Sequence, residues 1–202
     1  AKASCPGSQL SGADLSDSDY RGVDLSSSDL FQVDLWRSNV TDANFSNSIL
    51  READLRRTTA ISTNFQDAHL YGANLSRGNM TSSNLNGADL QFTDLFQANF
   101  AQADMVNAKM RNSDASWGNF MGTDLREADL RDTDLSWASL TGANLSGANL
   151  SGADLTRANL ANADLRGTNI TGATFTGAFA NSGTKWPEGF NPIFSGVIIW
   201  DE

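Results

Sequence analysis

The side chains best equipped for chemistry in this chain are carboxylates: 24 Asp and Glu stand against 14 Lys and Arg, one His and one Cys, for a net charge of −10 over 202 residues. Two carboxylates can divide acid and base roles only where their surroundings push their pKa values apart. Here Asp14, Asp34 and Asp54 all sit between a small residue and Leu, so nothing distinguishes one from the next, and the Ser residues near them recur in the same way. His69 occupies a place usually taken by Asp or Asn and is expected outside. Cys5 has no partner for a disulfide framework; it reads as a small terminal hydrophobe, with an intermolecular bridge or reactive thiol as the other reading. No Gly-rich phosphate loop leads into a helix. The expectation is no enzyme, no cofactor and no metal.

The elements that carry these side chains must suit a chain that is 40% hydrophobic with 3 Pro, which fits one soluble domain or one elongated array. No stretch approaches the roughly 20 apolar residues of a membrane span, so no membrane insertion is expected. Acidity disfavours direct binding to nucleic-acid phosphates, whose affinity comes from Lys and Arg displacing counterions. It points to basic partners or to solubility alone. The opening AKASC has the small-x-small form near a signal-peptidase cut, which reads as export, with trimming of a longer chain as the alternative.

Internal repetition decides the architecture. Every fifth residue from Leu10 to Phe175 is apolar, 34 positions without an insertion or deletion. Two residues earlier stands a small or β-branched residue, such as Ala13, Ser18 and Val23; between them sits mostly Asp or Asn, and two after the centre Gly recurs, as at Gly72, Gly142 and Gly172. The unit is A(D/N)LxG or a close variant.

A large and a small residue two apart point to the same side of an extended segment. Five residues leave no room for an ordinary strand, so the chain must turn at once. In L-x-G-A the Gly is third of four, the place where a type II turn requires φ > 0. Where Asn47, Ser62 or Asp67 replaces Gly, other turn types are expected. Asp and Asn before the centre can accept from nearby amides as Asx turns.

These units, over residues 8–178, resemble the pentapeptide repeat family. The resemblance implies an all-β fold, a right-handed quadrilateral parallel β-helix with four pentapeptides per coil: about 8.5 coils, with residues 20 apart stacked at ~4.8 Å in a rod roughly 40 Å long. Residues 1–7 would form an N-terminal segment, short for a cap, leaving part of the first coil exposed or irregular. On this register Phe45 stacks on Phe65 and Phe100 on Phe120 inside the core, while Ala60 and Ala115 underfill it and predict looser packing. Residues 179–202 leave the register. Their T-K-W-P-E-G-F-N-P resembles the T-x-W-P-x-G-F-x-P tail of cyanobacterial members. The segment reads as a cap in which Trp186, Phe190, Phe194, Ile198 and Trp200 cover the last coil; a dimer contact through this end is the other reading.

Function must then lie in the surface. Columns of 20 place Asp14, Asp34, Asp54, Asn74, Asp94, Asp114, Asp134 and Asp154 on one face. One edge of it carries Trp36, Arg37, Arg56, Arg57, Arg77, Phe96, Trp117, Trp137 and Arg157; the other carries Phe31, Arg51, Tyr71, Gln91, Arg111 and Arg131, with Phe92 adjacent. Exposed aromatics and Arg are enriched at interface hot spots, so the candidate partner-binding surface is Asp34, Asp54, Asp94, Asp114, Asp134, Trp36, Arg37, Arg57, Arg77, Phe96, Trp117, Trp137 and Arg157. The structural alternative is that Arg and aromatic side chains relieve repulsion between stacked Asp and cover the turns. The expected function is a non-enzymatic scaffold or protein-binding rod for an unidentified protein partner, exported to a periplasm or thylakoid lumen, with a cytoplasmic location as the alternative. The alternative function, implied by family members that resist quinolones, is an acidic DNA mimic that binds DNA gyrase. Those members carry loop insertions or a dimerising helical tail, whereas here the register is unbroken and the tail differs.

Overall fold

Five residues suffice for one brief extended segment and one turn, and the chain repeats that solution up to about residue 178. In this computed structural model, which describes residues 3–200, the N–H three residues after most centres donates to the centre's carbonyl, as in Ala13 to Leu10 at 3.0 Å and Ala73 to Leu70 at 2.9 Å. Ala1 and Lys2 of the export signature lie outside the described residues, as do the last two. The residue before each centre bridges in parallel to the residue 20 positions on, from Ser4↔Asp24 to Asn159↔Phe179. Four five-residue units therefore close one coil, and the regular register begins as early as Ser4.

The turn residue two after the centre has positive φ whatever its identity. Glycines there run from 64° at Gly122 to 73° at Gly147 and Gly172, and non-glycines from 48° at Asp17 to 60° at Trp137. At Asn47, Ser62 and Asp67, where other turn types are expected, positive φ is kept at 57°, 52° and 54°, and the turn hydrogen bonds of Ser48, Thr63 and Ala68 are intact at 3.1, 3.4 and 3.0 Å. A left-handed L-residue costs roughly 1 kcal/mol. It persists because the ladder above and below fixes the turn: Asn47 N–H also donates to the Gln66 carbonyl of the next coil at 2.9 Å.

The interior is a single file of coils in which the centres from Leu30 to Leu165 are fully buried, Ala60 and Ala115 among them. The aromatic ladders form as expected, Phe45–Phe65 at 5.3 Å and 9°, Phe100–Phe120 at 5.2 Å and 12°. Ser and Thr fill small inward positions because their hydroxyls reach carbonyls of the centres: Ser38 to Leu35 at 2.7 Å within a coil, Thr58 to Leu35 at 2.8 Å across coils. Among the described residues no buried side-chain N or O lacks a partner. The first coil is regular but open, with Leu10, Leu15 and Tyr20 only partly buried.

Gly118 holds one of the small inward places for a specific reason. A Cβ there would lie 2.6 Å from Phe120 Cε2 and 2.9 Å from the Ala115 carbonyl oxygen, so the Phe120 ring occupies the space that Ala would need. Gly118→Ala is expected to displace a ring already stacked on Phe100 and to cost ~1–3 kcal/mol; unchanged urea unfolding would show that the ring has room to move.

Asn at outward positions ties coils together where Asp cannot. Asn64 donates to Asn44 Oδ1 at 3.0 Å, accepts from Asn84 at 3.2 Å, and receives the Gln66 N–H at 3.1 Å. Asn64→Asp sets two acceptors face to face against Asn44 and is expected to cost ~1 kcal/mol at neutral pH, less below the carboxylate's pKa. A thermal shift indifferent to pH would contradict that account.

The tail departs from the register by one residue, Asp164 bridging to Lys185, and returns as a parallel pair of β1 (Phe179–Ala180) with β2 (Ile198–Ile199). Each key residue of T-K-W-P-E-G-F-N-P has a task. Thr184 Oγ1 donates to the Leu160 carbonyl at 2.9 Å, Gly189 takes φ 75°, and Trp186 and Phe190 pack on Phe175 with centroids 5.9 and 5.1 Å away. Trp186 and Phe190 thus cover the last coil. Phe194, Ile198 and Trp200 do not: they are 90%, 49% and 66% exposed, Phe194 lying in the turn over residues 192–196 and Ile198 in β2, which pairs with β1 by its backbone.

Candidate partner-binding face

The columns inferred from the repeat are the columns of the structure. Asp14, Asp34, Asp54, Asn74, Asp94, Asp114, Asp134 and Asp154 bridge in succession, forming one face of the rod between two turn corners. Each carboxylate caps the turn that follows it: Oδ1 accepts the N–H two residues on, Trp36 for Asp34 at 2.8 Å, Phe96 for Asp94 at 3.0 Å, Ser116 for Asp114 at 3.0 Å and Ser136 for Asp134 at 2.8 Å. This explains why an acceptor stands there at all.

It does not explain why the acceptor is charged, since Asn does the same work. Nor do Arg residues neutralise the column. Among the described residues only Asp54 of this face has an ion pair, with Arg56, two residues on; burial would raise its pKa, and the Arg56 side chain and N–H outweigh that and hold it low. The Asp-x-Arg spacing makes the same pair at Asp19–Arg21, Asp124–Arg126, Asp129–Arg131 and Asp164–Arg166, all on other faces. Close pairing with a flanking Arg is therefore confined to Asp54, while the Arg56 charge also acts at longer range on Asp34 and Asp94 and Asn74 supplies a neutral donor to Asp94 at 3.0 Å.

The pair at Asp164 gives a pH dependence. Arg166 and, at 3.4 Å, Lys185 lower the pKa of Asp164 to about 2, against about 3.9 unfolded. A depressed carboxylate stabilises the fold above the unfolded pKa and loses that contribution as pH falls through the folded one. Wild type is expected to lose stability between pH ~4 and ~2, and Asp164→Asn to flatten that part of the curve in acid titration by circular dichroism.

The flanking edge is a run of contacts 20 residues apart. Arg37 pairs with Asp17 at 3.3 Å and lies 4.9 Å over Trp36; Arg77 Nε donates to Gln97 at 3.1 Å and lies 5.9 Å from Phe96. Trp117 and Trp137 stack at 4.8 Å and 5°, and Arg157 covers Trp137 at 4.6 Å. Arg57 is exposed and makes no ion pair among the described residues. Both faces of Trp137 are thus occupied, one by Trp117 and one by Arg157. Trp117 is nevertheless 52% exposed and Trp137 41%. The opposite corner adds Tyr71 and Phe92, in contact at 5.3 Å, with Arg51 5.6 Å over Tyr71. They were absent from the candidate set; their separation of 21 residues on adjacent coils was the available signal.

His69 is exposed between Ile49 and Asp89, as expected. No group of three His, Cys, Asp or Glu is placed to hold a metal among the described residues, and no helix there is long and apolar enough to cross a membrane.

Comparison with known proteins follows this geometry. The sequence model described as pentapeptide repeats matches in eight copies, over segments reaching from residues 8–47 to 143–179. No curated protein matches. Among solved structures, full-length QnrB1, a plasmid-mediated fluoroquinolone resistance protein, is 19% identical over 98% of this chain and 94% of its own, with TM-score 0.52. HetL from the cyanobacterium Nostoc sp. strain PCC 7120, involved in heterocyst differentiation regulation, is 28% identical over 83% of this chain and 85% of its own, with TM-score 0.39. A pentapeptide repeat protein from the Arabidopsis thaliana thylakoid lumen is 33% identical over 47% of this chain and 59% of its own, with TM-score 0.35. Proteins of this kind are structural or protein-binding rather than catalytic. Repeat, four-sided register and family match agree: the chain belongs to the pentapeptide repeat family and folds as its right-handed quadrilateral β-helix.

Proposed function

We propose that this protein is a protein-binding rod whose contact surface is the Asp face with its two aromatic and Arg corners. The observation that carries this reading is the exposure of Tyr71, Phe92, Trp117 and Trp137 beside carboxylates of which only Asp54 has an ion pair among the described residues, while the opposite edge carries Thr41, Ile61, Thr81, Ala101, Met121, Thr141 and Ala161, with Met121 its one large exposed side chain. Large exposed aromatics beside charge are a recurrent basis of recognition, and a turn residue at positive φ gains nothing locally from being Trp. The test replaces Arg37, Arg57 and Arg77 together with Ser, against a control replacing Arg126 and Arg166. Only the first variant should lose the partner captured from native extract; equal retention by both would remove the surface from consideration.

The acidic face also supports the second reading, mimicry of DNA towards gyrase. The likeness to QnrB1 supports the shared fold alone, and the unbroken 20-residue register offers none of the insertions that family members with that activity carry. A supercoiling assay with purified gyrase decides it. Export to a periplasm or thylakoid lumen remains part of the proposal, and fractionation with N-terminal sequencing of the mature chain tests it.

A further inference from the structure

The Asp face is not uniform along the rod. In its lower part Asp54 is paired with Arg56, position 74 is Asn rather than Asp, and Arg57 and Arg77 stand at the corner. Above Asn74 the floor is four carboxylates on consecutive coils, Asp94, Asp114, Asp134 and Asp154. Each commits Oδ1 to the following turn, and none has an ion pair among the described residues.

The cations near this stretch are engaged elsewhere. Arg111 reaches Asp132 at 3.6 Å, Arg131 pairs with Asp129 at 2.5 Å on the adjoining face, and Arg157 lies over Trp137. The carboxylates therefore form a single file at ~4.8 Å intervals, with the exposed edges of Trp117 and Trp137 on one side and Phe92 on the other. Like charges held so close raise one another's cost, and a cationic occupant removes it.

Resting on the protein-binding reading above, we infer that the partner presents an extended basic segment, which lies along this file with Lys or Arg heads on Asp94, Asp114, Asp134 and Asp154. Its aliphatic stems pack against the edges of Trp117 and Trp137. A second copy of this chain would bring the same carboxylates face to face, and nucleic-acid phosphates would be repelled. A single file with one carboxylate per coil also lacks the convergent oxygens of a divalent-cation site.

The probe is a fluorescein-labelled eight-residue peptide alternating Lys and Ser, about 26 Å long when extended, which covers the ~14 Å from Asp94 to Asp154. Its binding is followed by anisotropy at low salt, with a Glu–Ser peptide as control. Asp114→Asn/Asp134→Asn keeps both turn-capping oxygens and removes two charges; Asp89→Asn/Asp104→Asn removes two charges from other faces. Expected are binding of the Lys peptide alone, roughly tenfold weakening in the first variant and a change under about twofold in the second. Equal weakening in both would mean that the peptide reads net charge and would overturn the inference. So would absence of binding to wild type; if the Arg37, Arg57 and Arg77 variant still lost its native partner, the protein-binding reading would stand without a basic segment.

Discussion

Phe120→Ala is expected to cost about 3–5 kcal/mol and to be the most damaging single truncation in the rod. Its ring is completely buried, stacked on Phe100 at 5.2 Å, and set against a glycine that leaves space for nothing else. Truncation leaves a void between Phe100 and the next centre of the column, Leu140. The void cannot collapse, because the coils are held at a fixed spacing by backbone ladders such as Phe120 N–H to the Ser139 carbonyl at 2.7 Å. Phe120→Leu, which retains most of the volume, should lose less than about 1.5 kcal/mol. Urea unfolding followed by far-ultraviolet circular dichroism measures both; near-equal losses would mean that the coils close over the gap.

The second large effect depends on position along the rod. Leu95→Ala should cost ~2–5 kcal/mol, since Leu95 is fully buried between the coils above and below and Ala forfeits contacts with both. The same change at Leu15, only partly buried in the open first coil, removes contacts on one side and should cost roughly half as much or less. Both substitutions are identical in sequence context, Asp-Leu before a turn. Equal losses at the two sites would show that stability is not carried by nearest-neighbour contacts, and hydrogen exchange would then be expected to protect the first coil as strongly as the middle.

The turns show where local reading stopped. Asn47, Ser62 and Asp67 lack the Gly that positive φ ordinarily calls for, and intrinsic preference argues for a different turn. Tertiary ladders on both sides override it, and a local window does not contain them. The tail shows the same limit. Trp186 and Phe190 cover the last coil while Phe194 and Trp200 face outward, a division that hydrophobicity, equal for all four, does not make.

The candidate face was legible in its columns and not in its pairing. Once residues 20 apart stack, the Asp file, the Trp117–Trp137 contact and the two Phe ladders follow from residue numbers alone. The Asp-x-Arg pairs were also available from spacing. What the numbers did not contain was the partner of Arg111, which has no Asp two residues before it and reaches Asp132 on the next coil at 3.6 Å.

By itself the sequence determined the period, the two inward positions of every five, the absence of room for a conventional strand and the acidity of the surface, because each follows from side-chain size and charge repeated in register. Tertiary structure alone decided that the turn residue two after the centre takes positive φ even where it is not Gly, that Phe194 and Trp200 face outward, and that Asp94, Asp114, Asp134 and Asp154 have no ion pair among the described residues. Those outcomes depend on which groups the neighbouring coils bring within hydrogen-bonding distance, and no five-residue window carries that information.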